Sequence, residues 1–183
     1  MYRIENYESE ISMQEYVERF VDVETFLEAC KKCPNYNQVW SCPGYDFDVL
    51  EYWKKYETLK VYAHKIIFEP EYQEKVYEAE ELNEILRKIL KEEKQKLSDK
   101  MMEEEKKYPG SISLSAGSCG LCKDGCTRPQ GKACRFPNEM RYSIESLGGN
   151  VGMTIEKLMG LELEWMEEGK LPTHFILVNG LLI

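Results

Sequence analysis

Residues Ser118–Cys134 read SCGLCKDGCTRPQGKAC, and this stretch holds four of the seven cysteines in the chain. Their spacing is C-x2-C-x3-C-x7-C, with glycines and a proline between them. Two thiolates separated by two residues can bind one metal centre from a single tight turn, and the next two are near enough to complete the set. Thiolates are soft ligands, which select zinc, copper(I) or iron–sulfur clusters over hard cations. The stretch therefore predicts a metal-binding loop with four ligands: Cys119, Cys122, Cys126 and Cys134.

The remaining three cysteines form a second group earlier in the chain. Cys30, Cys33 and Cys42 have the spacing C-x2-C-x8-C, and Pro34 and Pro43 each follow a cysteine directly. Proline fixes the backbone φ angle and prevents a helix or strand from continuing. The pattern is therefore typical of an irregular loop that can wrap a metal, and we expect all three cysteines to be metal ligands.

The composition is that of an ordinary globular protein, with 43% hydrophobic and 31% charged residues. A length of 183 residues predicts a single domain over residues 1–183, long enough to bury a core. The net charge of −9 argues against a general nucleic-acid binder, because phosphate contacts need a cationic surface. No apolar run approaches the about 20 residues of a membrane span and no signal peptide is evident, so a cytoplasmic location is expected.

The cysteines are more readily explained by metal ligation than by disulfides. Their number is odd, so they cannot all pair, and disulfides seldom persist in a reducing compartment. Several partitions are open. The four later cysteines can hold a [4Fe-4S] cluster, and the three earlier ones a second cluster with one iron lacking a cysteine. Alternatively, each group binds zinc and the trio borrows His64 or His174, or one centre draws ligands from both groups.

Spacing favours iron–sulfur over zinc. Structural zinc sites usually combine two short pairs of ligands, whereas the later group has one such pair followed by gaps of three and seven residues. This looser run is closer to cluster ligation, in which each thiolate binds a different iron. We therefore expect one or two [4Fe-4S] clusters, with zinc as the alternative.

Cations are concentrated around the later cysteines. Arg128, Arg135 and Arg141 lie in this part of an otherwise acidic chain. Because a thiolate-bound cluster is anionic, nearby cations stabilise it and tune its potential, and we predict that these three arginines contact the cofactor. Arg135 and Arg141 also flank a predicted helix start at Pro137, which suggests a pocket for a small anionic ligand.

Hydrophobic periodicity predicts an α+β fold with a small mixed β-sheet, a long helical crossover and two cysteine-rich metal-binding loops. A short strand is expected within residues 1–21 and a short helix after Asp46. The predicted helices are 23–30, 71–107, 137–147 and 151–159, and the predicted strands are 59–68, 111–115, 161–165 and 173–183, the last two forming a hairpin.

The motifs resemble a family of predicted metal-binding proteins, domain of unknown function 2284. The resemblance rests on CKKCPNY (30–36) and WSCP (40–43), then on CGLC (119–122), CTRP (126–129), CRFP (134–137), RYSIE (141–145) and Asn150-Val151. This chain has Cys42-Pro43-Gly44 where the family tends to show Cys-Pro-Pro, which leaves the ligand in place. The resemblance implies metal binding, with iron–sulfur favoured, and brings no established activity.

Three functional hypotheses follow. The first is an iron–sulfur protein that transfers electrons to a redox protein partner. The second is an enzyme whose three-cysteine cluster offers an open iron, with Arg135, Arg141, Ser143 or Glu145 holding a small anionic substrate. The third is a zinc-stabilised interaction module. Neither a nucleic acid nor a membrane is an expected partner, and the sequence indicates no oligomeric state.

Overall fold

The computed structural model describes residues 1–183 as an α+β fold of four strands and six helices. The strands are β1 (Tyr2–Ser12), β2 (Thr58–Phe68), β3 (Ile112–Leu114) and β4 (His174–Leu182). The helices are α1 (Met13–Phe20), α2 (Val23–Lys31), α3 (Val49–Trp53), α4 (Pro70–Gln73), α5 (Ala79–Lys107) and α6 (Val151–Met159).

The strands form one sheet in the order β1-β2-β4-β3, and every pairing is antiparallel. The sheet is therefore purely antiparallel, whereas the sequence pattern had suggested a mixed sheet. β2 and β3 both run antiparallel to β4, so they point in the same direction, and α5 joins them. The expected helical crossover from β2 to β3 is present. However, β4, the last strand of the chain, lies between these two strands in the sheet.

The side chains of β2 point alternately to the two faces of the sheet, which divides the hydrophobic interior into two layers. Leu59, Val61 and Ala63 face a core that includes residues of α1, α3 and α6. Ile66 and Phe68 lie on the opposite face and pack in a second core with the buried side of α5. Because successive strand residues point to opposite faces, one apolar strand serves both layers.

Side-chain caps fix the two short helices that border the cysteine loops. Asp22 Oδ1 accepts a hydrogen bond from the Thr25 amide at 3.0 Å and begins α2. Asp48 Oδ1 does the same for the Glu51 amide at 3.0 Å and begins α3. Both caps satisfy backbone donors that a helix leaves free in its first turn. The first cysteine loop therefore runs between two defined helix ends.

The long helical segment is interrupted after its first turn. The prediction of a continuous helix from residue 71 is wrong, because residues 74–78 separate α4 from α5. Tyr77 is buried here, and its amide donates to the carbonyl of Gly169 at 2.9 Å. This contact with the turn before β4 replaces the helical hydrogen bond.

Two further elements predicted from the pattern are absent. No α-helix begins at Pro137. The Arg141 guanidinium donates to the carbonyls of Asn138 and Met140, which would accept backbone hydrogen bonds in a helix. Residues 161–165 form no strand. The segment contacts the chain around the start of β4 in another way: Glu164 Oε1 accepts from the Thr173 amide at 2.9 Å, and His174 Nε2 contacts the carbonyl of Glu162 at 2.9 Å. The predicted hairpin is therefore absent.

No helix in the structure is both long and apolar enough to cross a membrane. The longest, α5, has an alternately charged outer face and buries only one side.

Candidate metal centre

The four later cysteines lie in the irregular chain that follows β3, and their side chains line one cavity of about 160 Å³. The other walls are almost entirely apolar and come from both cysteine loops. They are formed by Val39, Trp40, Leu121, Gly125, Phe136 and Met140. The structure thus brings Cys119, Cys122, Cys126 and Cys134 together around one partly open cavity.

Local hydrogen bonds close the seven-residue gap between Cys126 and Cys134. The Thr127 hydroxyl donates to the carbonyl of Ala133 at 2.8 Å, and the amide of Lys132 donates back to the carbonyl of Thr127 at 3.3 Å. Gly131 turns the chain with φ 66°, in the left-handed region that glycine adopts at little cost. The two cysteines therefore return to the same side of the loop.

The thiols of this group are held close enough to influence one another. Burial raises the pKa of Cys119, and the neighbouring thiols of Cys134, Cys122 and Cys126 raise it further. Ionising several of these thiols together would place like charges around one apolar cavity. A bound cation removes that repulsion, so the donor set and its surroundings fit a thiolate-bound metal group.

The three earlier cysteines also form a local group. Cys30 lies in the last turn of α2, and the amide of Cys33 donates to its carbonyl at 2.9 Å. Cys42 is 8% exposed, whereas Cys33 is exposed to solvent. Burial raises the pKa of Cys42, and the thiols of Cys33 and Cys30 raise it further. The backbone returns through Asn37, which has φ 56° and donates its amide to the carbonyl of Pro43 at 3.2 Å.

Arg128 joins the two cysteine loops. Its Nη1 donates to the carbonyls of Val39 at 2.9 Å and of Cys42 at 2.7 Å. Its Nη2 contacts the side-chain oxygen of Asn37 at 3.1 Å and the carbonyl of Gly44. The predicted cofactor-binding arginine is thus engaged with backbone oxygens of the first loop. Its contact with a cofactor stays a prediction.

Other hydrogen bonds cross the same interface. The amide of Cys119 donates to Ser41 Oγ at 2.9 Å, which links the first cysteine of the later group to the residue before Cys42. Trp40 Nε1 donates to the carbonyl of Lys132 at 3.2 Å, and Asn35 contacts Ser118 at 3.2 Å. The two cysteine loops are therefore in direct contact.

Arg135 and Arg141 face protein groups. Arg135 Nη1 donates to the carbonyl of Gly125 at 2.8 Å, between two cysteines of the later group. Arg141 forms a bidentate pair with Glu105 of α5, with Nε–Oε1 and Nη2–Oε2 both at 2.7 Å. The helix N-terminus that was expected to complete an anion pocket beside them is absent. Their predicted contacts with a cofactor or a small anion stay predictions.

Neither histidine lies with the cysteines. His64 hydrogen bonds to Asn6 at 2.7 Å and to Glu93 at 2.9 Å between the sheet and α5. His174 contacts Thr173 and the carbonyl of Glu162. Both rings have their nitrogens occupied by protein partners. Moreover, no three histidine, cysteine, aspartate or glutamate side chains converge closely enough to surround a single metal ion.

A buried carboxyl lies behind the earlier cysteine group. Glu145 and Cys30 line the same cavity of about 430 Å³. Burial raises the pKa of Glu145, although hydrogen bonds from its own backbone amide and from Ser143 act in the opposite direction. Its Oε2 has no hydrogen-bond partner. The sequence indicated Glu145 only as one of several residues for an anionic substrate, because burial of a carboxyl carries no local signal.

The comparisons with known proteins identify the family of the chain. The family model described as "Predicted metal-binding protein (DUF2284)" matches residues 17–183, which include both cysteine groups. No curated protein and no solved structure matches the chain. Because the matched segment covers nearly the whole sequence, the chain belongs to this family of predicted metal-binding proteins.

Proposed function

We propose that the protein binds a [4Fe-4S] cluster through Cys119, Cys122, Cys126 and Cys134 and passes electrons to a redox protein partner. The observation that carries the proposal is the arrangement of these four thiols around one apolar cavity of about 160 Å³. When bound, such a cluster supplies one-electron transfer. The chain's own residues hold it, exclude water and position donors around the sulfurs.

Ligand spacing supports a cluster over a single ion. Zinc requires all four sulfurs at about 2.3 Å from one point. The later group has one close pair of cysteines followed by gaps of three and seven residues, unlike the two short pairs of a structural zinc site. A cubane cluster fits that arrangement, because its thiolates bind separate irons and stand further apart.

The position of the group near the surface supports electron transfer. Cys119, Cys122, Cys126 and Cys134 are all partly exposed, so a partner can approach the edge of a cluster. Lys123 and Lys132 are exposed in the same loop of a chain whose net charge is −9. We expect an acidic redox protein to dock on this basic loop, since complementary charge steers association.

A second candidate function concerns the earlier group. Cys30, Cys33 and Cys42 supply three thiolates and no fourth cysteine, and Cys30 borders a cavity that also contains Glu145. A centre held by these three has one coordination position for a carboxylate or a small molecule. This arrangement supports an enzyme with an open iron, and it requires a second cluster.

The deciding experiment is anaerobic purification followed by iron, sulfide and zinc analysis, with visible and EPR spectra. We expect a brown protein with equal amounts of iron and acid-labile sulfide. Cys122→Ser should remove the spectrum of a cluster bound to the later group. Cys33→Ser is the matched control, because it should leave that spectrum unchanged and remove only a second cluster.

Three results would contradict the proposal. A colourless protein with stoichiometric zinc and no sulfide would favour a zinc-stabilised module instead. A cluster that survives Cys122→Ser and is lost in Cys33→Ser would place the metal in the earlier group alone. A cluster lost in both variants would indicate a single centre that draws ligands from both groups.

A further inference from the structure

The first cysteine loop forms part of the wall around the later cysteines. Val39 and Trp40 line the cavity of the four later thiols. The two residues that follow, Ser41 and Cys42, are both buried, with 1% and 8% of their surface exposed. One short segment therefore borders the later group and also supplies a thiol of the earlier group. At this point the two groups are separated only by buried side chains.

The hydroxyl of Ser41 contacts a candidate ligand residue of each group. Its Oγ accepts the amide of Cys119 at 2.9 Å. A serine hydroxyl has one proton to donate in addition to its acceptor capacity. Burial raises the pKa of Cys42, and a hydrogen bond from the Ser41 side chain acts in the opposite direction. The hydroxyl proton is therefore available to the Cys42 sulfur while the oxygen holds the later loop.

The backbone around Ser41 is held from both sides. The Tyr45 hydroxyl donates to the carbonyl of Ser41 at 2.8 Å. Arg128, from the later loop, donates to the carbonyls of Val39 at 2.9 Å and of Cys42 at 2.7 Å. These contacts fix the position of the hydroxyl between the two groups, so it does not depend on a flexible side chain alone.

Residues that hydrogen bond to metal ligands orient them, and loss of such a partner typically weakens metal binding by about 10- to 100-fold. Ser41 has this position toward both groups at once. When a metal group orders the later loop, the Cys119 amide holds the Ser41 hydroxyl and leaves its proton for Cys42. When a metal group orders the earlier loop, Ser41 is fixed next to the Cys119 amide.

We infer that Ser41 is a positioning residue that couples the two cysteine groups, so that a metal group bound at either one strengthens binding at the other. Such a coupling free energy is reciprocal by thermodynamic necessity. The inference rests on the proposed function only for the nature of the metal group, because the contacts of Ser41 do not depend on which metal the thiols hold.

A double-mutant cycle on the full-length protein tests the coupling. The protein is purified anaerobically with its metal and titrated with EDTA. Alkylation of Cys122 and Cys126, measured by mass spectrometry, reports loss of metal from the later group alone. We expect the EDTA concentration that releases half of these thiols to fall by about fivefold or more in Cys33→Ser, which disables the earlier group. In the Ser41→Ala background the same comparison should give a ratio of about twofold or less.

Two further variants identify the hydroxyl as the cause. Ser41→Thr retains a hydroxyl and should restore the full ratio. Ser118→Ala removes another hydrogen bond between the same loops, the contact with Asn35, and should not change the ratio. A merely structural Ser41 would weaken metal retention equally with and without Cys33, and the ratio in Ser41→Ala would then match that of wild type. That result, or equal retention in wild type and Cys33→Ser, would overturn the inference.

These outcomes are distinct from a failure of the proposed function. Iron and sulfide analysis decides whether the later group holds a cluster, whereas alkylation reports the loss of any metal from its thiols, zinc included. A zinc protein with the expected ratio would contradict the cluster and support the coupling. A later cluster that is indifferent to Cys33→Ser would support the cluster and overturn the coupling.

Discussion

At the scale of single residues, Arg128 has the largest structural role in the candidate site. Its guanidinium contacts backbone oxygens on both sides of Cys42 and lies 5.2 Å from the ring centroid of Trp40. The planar fork of arginine suits several acceptors at once, and the compact ammonium of lysine does not. One side chain therefore sets how the two cysteine loops face each other.

Arg128→Lys should separate the loops without unfolding the core. We expect a loss of about 2 kcal/mol in stability and weaker retention of the metal group. Thermal unfolding and iron content measure the two effects. Arg135→Lys is the matched control, because Arg135 makes a single contact within its own loop. Equal effects of the two substitutions would show that Arg128 does not join the loops in solution.

Glu93 predicts a dependence of stability on pH. Burial would raise its pKa, but hydrogen bonds from Lys96, His64 and Tyr2 outweigh burial and hold the pKa below its usual value. A carboxyl with a lowered pKa stabilises the fold above its unfolded pKa, and the contribution is lost as pH falls through the folded pKa. We expect Glu93→Gln to cost about 1–3 kcal/mol near neutral pH.

The difference between wild type and Glu93→Gln should shrink on acidification below about pH 4. Urea denaturation at a series of pH values measures it. Glu92→Gln, an exposed neighbour, provides the control. A constant difference at all pH values would mean that the carboxylate charge of Glu93 contributes nothing.

At the scale of elements, α5 connects the sheet to the chain that carries the later cysteines. One side packs in the second core, while Glu105 holds Arg141 next to those cysteines. The position of α5 thus depends on the burial of its apolar side against β2 and β4. The same packing places its polar residues next to their partners.

Leu86 on α5 is 6% exposed within that core. Leu86→Ala should therefore destabilise the protein by about 2–5 kcal/mol, through lost burial and a residual cavity. Lys88→Ala, two residues later on the exposed face, should change stability by less than about 0.5 kcal/mol. Chemical denaturation measures both. Similar small effects for the two variants would imply that α5 is not packed as described.

At the scale of the whole molecule, the cysteine loops and the two main cores are largely separate. The buried core clusters contain none of the seven cysteines, and only the ends of the cysteine loops pack in or against a core, through Tyr45, Phe47, Ala116 and Tyr142. The loops are held by hydrogen bonds between backbone and side chains, which give little stability without a bound group.

Removal of the metal should therefore loosen the loops and leave the sheet folded. We expect faster hydrogen exchange in residues 32–47 and 115–142 of the chelated protein, and little change in β2 and β4. Mass spectrometry of exchanged peptides measures this directly. Uniform loss of protection across the sheet would show that the metal group is required for the whole fold, as in a zinc finger.

Local patterns alone predicted most elements and identified both groups of cysteines. The helices that begin at residues 23 and 151, β2 as an apolar strand and the cysteine spacings are all encoded within a few residues. The family resemblance was confirmed over residues 17–183. These features could be predicted because capping, strand alternation and short ligand spacings are local properties of the chain.

Long-range contacts decided the rest. The insertion of β4 between β2 and β3 and the engagement of Arg128 with the first loop join residues distant in sequence. Arg141 is an example. Its charge suggested that it binds an anionic ligand, but in the folded chain it pairs with Glu105 of α5. The sequence by itself determined which side chains can bind metal. Only the tertiary structure decided which of them meet, because packing of distant segments sets each side chain's partners and burial.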